Sequence, residues 1–205
     1  MKTIQRFTVI ASMLALAACG GSSPTPPQAG GAVGGCSTRA YAEIGGPFNL
    51  IDHNGNRVTE ADFMGRASLV FFGFTYCPDI CPGTLIAVNQ AYSRLPEGVT
   101  PPQTLLITVD PERDTPEALA TYVNADVFPE GLVGLTGSAE EISAAAEGFI
   151  AQYEKIETPA SLAEYTMDHT SLLYLMDEDW QLQTFFAEEG GDPQYMADCL
   201  AEHLS

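Results

Sequence analysis

Phe71-Phe72-Gly73-Phe74-Thr75-Tyr76-Cys77-Pro78-Asp79-Ile80-Cys81-Pro82 carries an apolar run into two cysteines separated by three residues. Leu69, Val70, Phe71, Phe72 and Phe74 are large, β-branched or aromatic, the pattern of a strand buried on both faces. Beyond the cysteines, Leu85, Ile86, Val88, Ala91, Tyr92 and Leu95 recur at helical spacing, predicting a helix over Thr84–Leu95. Pro82 lacks an N–H and has a fixed φ, so it belongs in the first turn. The thiols therefore sit where a core strand hands over to a helix N-terminus, the end of the strands at which open α/β sheets place their chemistry. The partial positive charge of that terminus favours thiolate over thiol.

Working outward, Thr104–Val109 reads as a second buried strand, making a βαβ crossover with parallel strands. Asp110-Pro111-Glu112-Arg113-Asp114-Thr115-Pro116 is a polar loop, with Asp114 or Thr115 capping a helix over Pro116–Ala125. Leu132–Leu135 reads as a short strand, and Ala139–Phe149 as a helix with Ser138 as cap and Glu141 in capping-box position. Tyr153–Ile156 is extended. Thr170–Met176 and Gln181–Phe186 form a hairpin, and Asp192 caps a last helix over Pro193–Leu204. Ahead of the central run, Phe48, Leu50 and Val58 flank a polar turn with His53 at its solvated tip; Thr59 caps a helical turn through Phe63. This order is that of an α/β, thioredoxin-like three-layer sandwich with an N-terminal hairpin extension. The cysteine pair falls where that fold keeps its active site.

Residues 1–18 read as a lipoprotein signal peptide: basic Lys2 and Arg6, apolar Phe7–Leu16, then Leu16-Ala17-Ala18 before Cys19. The apolar stretch is shorter than a bilayer span. Cys19 followed by Gly20-Gly21 resembles a bacterial lipoprotein box, which implies diacylation of Cys19 and a stable membrane tether. Residues 19–43 are the lipid anchor and a Gly/Ser/Pro-rich flexible linker, and 44–205 the folded domain. Eight Lys and Arg stand against 27 Asp and Glu. A surface so acidic repels phosphate backbones and argues against nucleic acid as a partner.

The five cysteines are Cys19, Cys36, Cys77, Cys81 and Cys199. With Cys19 lipidated, four remain in an oxidising compartment. Cys77 and Cys81 pair by spacing, leaving Cys36 and Cys199 as candidates for a structural disulfide whose connectivity the sequence leaves open. His169, in Tyr165-Thr166-Met167-Asp168-His169-Thr170, stands where thioredoxin-like proteins carry a cis-proline facing the thiols. Two sulfurs and an imidazole make a soft donor set that suits copper in either oxidation state. A structural zinc site wants a fourth protein ligand, and no residue with local spacing supplies one. Asp110 and Asp168 are candidates for orienting the imidazole. Met167 reads as core, and His203 as a histidine at a helix C-terminus.

The chain resembles the Sco/SenC proteins, thioredoxin-fold copper chaperones of cytochrome oxidase assembly. The matching motifs are G-G-P-F-N-L at Gly45–Leu50, F-G-F-T-Y-C-P-D-I-C-P at Phe72–Pro82, D-P-E-R-D-T-P at Asp110–Pro116, L-V-G-L-T-G at Leu132–Gly137 and D-H-T at Asp168–Thr170. The resemblance implies copper ligation by Cys77, Cys81 and His169. It also implies a role in supplying copper to the dinuclear copper site of cytochrome c oxidase subunit II, or in keeping its cysteines reduced. The expected protein is a delivery module on the periplasmic side of a bacterial membrane, not a turnover enzyme. Two rivals remain: a thiol–disulfide oxidoreductase in which His169 only tunes the thiols, and a peroxidase suggested by Thr75-Tyr76-Cys77. The latter lacks an activating arginine near the thiols in sequence.

Overall fold

The computed structural model describes residues 36, 44–187 and 192–205. The expected leader, Cys19 and most of the expected linker lie outside the described residues. The chain then forms β1 (Asn49–Asp52), β2 (Arg57–Thr59), a 3-10 turn (Glu60–Phe63), β3 (Ser68–Gly73) and α1 (Ile80–Tyr92). Next come β4 (Gln103–Thr108), α2 (Pro116–Val123), β5 (Val133–Thr136) and α3 (Ala139–Gly148). The chain ends with β6 (Tyr153–Glu157), β7 (Tyr165–His169), β8 (Leu172–Met176), β9 (Leu182–Ala187) and α4 (Pro193–Leu204).

β3 is the centre of the molecule. All six of its residues are buried, so both faces of the sheet are covered there, as the unbroken apolar run requires. Its neighbours are β4, parallel, with Phe71 opposite Leu106, and β8, antiparallel, with Phe71 opposite Leu173. The seven strands run β2-β1-β5-β4-β3-β8-β9. The N-terminal hairpin thus extends the sheet edge, β1 pairing antiparallel with β5. This is the predicted thioredoxin-like arrangement, widened by two strands. Phe72, Phe149 and Tyr174 meet edge to face, with centroids 5.2 to 6.2 Å apart, and form the aromatic heart of the core.

Local signals explain most boundaries. Thr115 accepts from the Ala118 N–H, with Pro116 in the first turn of α2. Ser138 and Glu141 close a reciprocal capping box on α3. Asp192 caps α4 through the Gln194 N–H. α1 begins four residues earlier than its apolar spacing predicts, so that Cys81 and Pro82 both lie in its first turn. Proline is tolerated there because the N–H it lacks has no intrahelical acceptor. Gly45 and Gly46 cross Gly148 so closely that a Cβ on Gly46 would lie 3.2 Å from the Gly148 Cα, and the Gly45 N–H donates to the Gly148 carbonyl at 2.8 Å.

One expectation is corrected and one element is added. His53 is not a solvated tip: its Nδ1 accepts the Gly134 N–H at 3.1 Å, tying the first hairpin to β5. The segment before β8, to which the sequence assigns no element, is a strand. β7 pairs antiparallel with β6 from Tyr165 opposite Glu157 to His169 opposite Tyr153, in a two-stranded sheet separate from the main one. Cys36 and Cys199 are joined as a disulfide, with Cα atoms 5.2 Å apart and a sequence separation of 163. α4, which carries Cys199, packs along α1.

Candidate metal centre

The turn from β3 into α1 presents Cys77, half-buried, and Cys81, fully buried, both as thiols. The Cys81 N–H donates to the Cys77 sulfur at 3.2 Å. The Cys77 thiol is pulled down to about 6, first by a hydrogen bond from the Cys81 thiol. Burial opposes this, while the N–H groups of Cys81, Asp79 and Ile80 reinforce it. Those amides are the exposed donors of a helix N-terminus, which is why an anionic sulfur is favoured there.

His169 is the last residue of β7. Its Nε2 lies 3.9 Å from the Cys81 sulfur, across 88 residues of chain. Its Nδ1 lies 3.2 Å from the Thr170 carbonyl oxygen, an acceptor, so the ring proton is assigned to Nδ1 and the Nε2 lone pair faces the sulfur. Burial holds the imidazole below its ordinary pKa, against the Thr170 contact and the charge of Asp168, and favours the neutral ring a soft metal needs. The ring also stands edge-on to Phe74, with centroids 6.0 Å apart. Sulfur and imidazole therefore converge, but among the described residues no three His, Cys, Asp or Glu side chains already stand at ligating distance of one point. An open cleft of about 760 Å³ reaches His169, lined in part by Ser143, Glu147, Gln152, Glu154 and Asp168.

The two carboxylates proposed to orient the imidazole do other things. Asp110 is buried, accepts from the Tyr165 hydroxyl at 2.8 Å and is paired with Arg113. Asp168 is exposed, and the Thr170 backbone carbonyl holds the ring instead. Met167 packs against the core as expected. His203 lies in the last turn of α4 with its Nε2 buried and without a hydrogen-bond partner.

Three neighbours of the site escaped the sequence reading. Asp114, fully buried, accepts from the Thr75 N–H at 3.0 Å and from the Thr75 and Thr108 hydroxyls at 2.6 Å each. Arg113 brings its guanidinium to 4.6 Å from the centre of the Tyr76 ring, next to Cys77, although no arginine is close in sequence. The Tyr122 hydroxyl is buried without a hydrogen-bond partner; burial raises its pKa, and negative charge on Cys81, Cys77 and Asp114 adds to the effect. The available signal was the polar loop between Asp110 and Pro116, which leaves a core strand at the same sheet end as the thiols.

A family model described as SCO1/SenC matches residues 37–205. The chain belongs to the SCO1/SenC family. The mitochondrial protein SCO1 homolog 1 of Arabidopsis thaliana is 42% identical over 151 residues, covering 72% of this chain and 43% of that protein. The mitochondrial SCO1 homolog of Homo sapiens is 39% identical over 163 residues, covering 78% of this chain and 53% of that protein. The chain thus spans about half the length of the curated relatives it matches. Among solved structures, Arabidopsis thaliana ScoI with copper bound superposes with a TM-score of 0.72 at 39% identity, covering 78% of this chain and 96% of that one. Membership of SCO1/SenC agrees with the thioredoxin-like sheet.

Proposed function

We propose that this chain is an exported, membrane-tethered protein that binds copper through Cys77, Cys81 and His169. Its cargo goes to the dinuclear copper site of cytochrome c oxidase subunit II. The observation that carries this reading is the 3.9 Å approach of His169 Nε2 to the Cys81 sulfur. Two sulfurs and a neutral imidazole are the donors copper prefers, and a solved relative, Arabidopsis thaliana ScoI, holds copper. Copper here is a substrate to be passed on. Cys77, half-exposed, is the donor an incoming thiolate displaces first, and buried Cys81 is the one released last. The acidic cleft beside His169 favours approach of a cation. Anchoring through Cys19 and a position on the periplasmic side of a bacterial membrane belong to the same proposal. Among the described residues no helix is long and apolar enough to cross a membrane; the proposed tether is the lipid on Cys19.

The test loads the soluble domain with Cu(I) or Cu(II) and measures stoichiometry and affinity for the wild type, Cys77→Ala, Cys81→Ala and His169→Ala. One copper per chain is expected, lost in either cysteine variant and weakened in His169→Ala. Unchanged affinity in His169→Ala would remove the imidazole from the site. A second reading, reduction of the oxidase copper-site cysteines by thiol–disulfide exchange, is favoured by the Cys77 thiol lying at about 6. Under that reading His169→Ala leaves oxidase assembly intact.

A further inference from the structure

We infer that Arg113 is a positioning residue: it clasps the Tyr76–Cys77 turn to the β6–β7 hairpin and thereby sets His169 against the sulfurs. This rests on His169 being a copper donor, as proposed above. The hairpin shares no strand ladder with the seven-stranded sheet; His169 meets that sheet through the short link to β8 and its edge-on contact with Phe74, while the start of β7 lies at the other end of the hairpin strand. Arg113 links that start to the thiol turn. Its Nη1 donates to the carbonyls of Ala163 and Tyr165 at 3.2 Å each, gripping the start of β7. Its guanidinium lies between two aromatic rings, 3.6 Å from the Tyr165 centroid and 4.6 Å from that of Tyr76. Asp110 accepts from its Nε and, through the other carboxylate oxygen, from the Tyr165 hydroxyl at 2.8 Å. One planar cation thus holds both the residue before Cys77 and the far end of the strand that terminates in His169. Over the four residues from Tyr165 to His169, roughly 13 Å of strand, a tilt at the clasp becomes a displacement at the imidazole. Lys155 also lies over the Tyr165 ring, at 3.9 Å, but it pairs with exposed Glu112 and touches neither Tyr76 nor a backbone carbonyl in the contacts observed.

The experiment compares wild type, Arg113→Ala, His169→Ala and the double variant for copper affinity. The nitrogen hyperfine signature of the Cu(II) form and amide hydrogen exchange in the metal-free protein complete the readouts. Arg113→Ala should weaken copper about 10- to 100-fold, the range for groups that orient a ligand. It should diminish the imidazole signature while sulfur ligation persists, and speed exchange over Tyr153–His169 without touching β3. In the His169→Ala background it should cost nothing further. Arg113→Lys keeps the charge but loses the planar fork and the stacking; it should show the same pattern and carries the test if the alanine variant fails to fold. The clasp is overturned if Arg113 variants leave affinity and hyperfine signature unchanged while His169→Ala weakens binding, or if they lose as much in the His169→Ala background. Unchanged copper binding in His169→Ala itself would instead sink the donor assignment.

Discussion

Asp114 takes both the backbone N–H and the hydroxyl of Thr75, two residues ahead of Cys77, from a distance of 39 residues in sequence. A third donor, the Thr108 hydroxyl, completes the carboxylate's shell at the end of β4. The loop that leads into the thiols is therefore pinned from beneath by a buried acid. Asp114→Ala leaves these donors without their acceptor and should destabilise the domain by about 2–4 kcal/mol, as when a buried hydrogen-bond network is broken. Asp114→Asn keeps one acceptor oxygen and should lose less. Denaturant unfolding of the reduced protein checks both.

The lowered Cys77 thiol predicts a pH profile. Alkylation of the metal-free, reduced protein should modify Cys77 before buried Cys81, with a rate that rises through a midpoint of about 6. Because the Cys81 thiol is the largest cause of the lowering, Cys81→Ala should move the midpoint upward. Folding lowers this thiol, so its contribution to stability is present above the unfolded thiol's pKa and is lost as pH falls through about 6. Rates that do not change between pH 5 and 8 would contradict the assignment.

Ile150 is the residue after α3 and its C-cap Phe149, at φ 54° and 65% exposed. The Ala151 N–H returns to the Ala146 carbonyl at 2.9 Å, so the helix ends in a left-handed cap that normally takes glycine. A β-branched side chain pays steric strain there and gains little from packing. Ile150→Gly should stabilise the domain by roughly 0.5–1 kcal/mol after the unfolded-state entropy of glycine is counted. Thermal unfolding reads the shift.

The Cys36–Cys199 disulfide closes a loop of 163 residues. A cross-link over so long a loop restricts the unfolded chain strongly, and replacing both cysteines by alanine should cost about 2–5 kcal/mol. Under mild reductant, mass spectrometry after thiol trapping should find Cys77 modified while Cys199, 2% exposed, stays bonded.

What could be read from residue order followed physical range. Strand β3, the caps at Thr115, Ser138 and Asp192, and Pro82 in the first turn of α1 are local or nearly local facts. Hydrophobic run, proline and side-chain cap each act within a few residues, and each was legible. β6 was seen only as extended and β7 not at all, because four of the five β6 residues are exposed and show no alternation. The orienting partner of His169 was sought among carboxylates, whereas the structure uses the next residue's backbone carbonyl, which no side-chain pattern advertises. Arg113 and Asp114 look like loop polarity because the partners that tie them to the site, Thr75 for Asp114 and Ala163 and Tyr165 for Arg113, lie 39 to 52 residues away. The dithiol and its histidine were legible through chemistry; the parts that hold them in place were not.

The bond between Cys36 and Cys199 also defines a load path. Tension applied to the chain ahead of residue 36 enters the domain at α4 and is shared with α1, the helix packed along it. Strand β1, which begins at Asn49, is shielded from that pull and need not peel from β5. A body fastened by its last helix can be tugged or reoriented from its N-terminal side without unzipping the sheet on which the thiols sit.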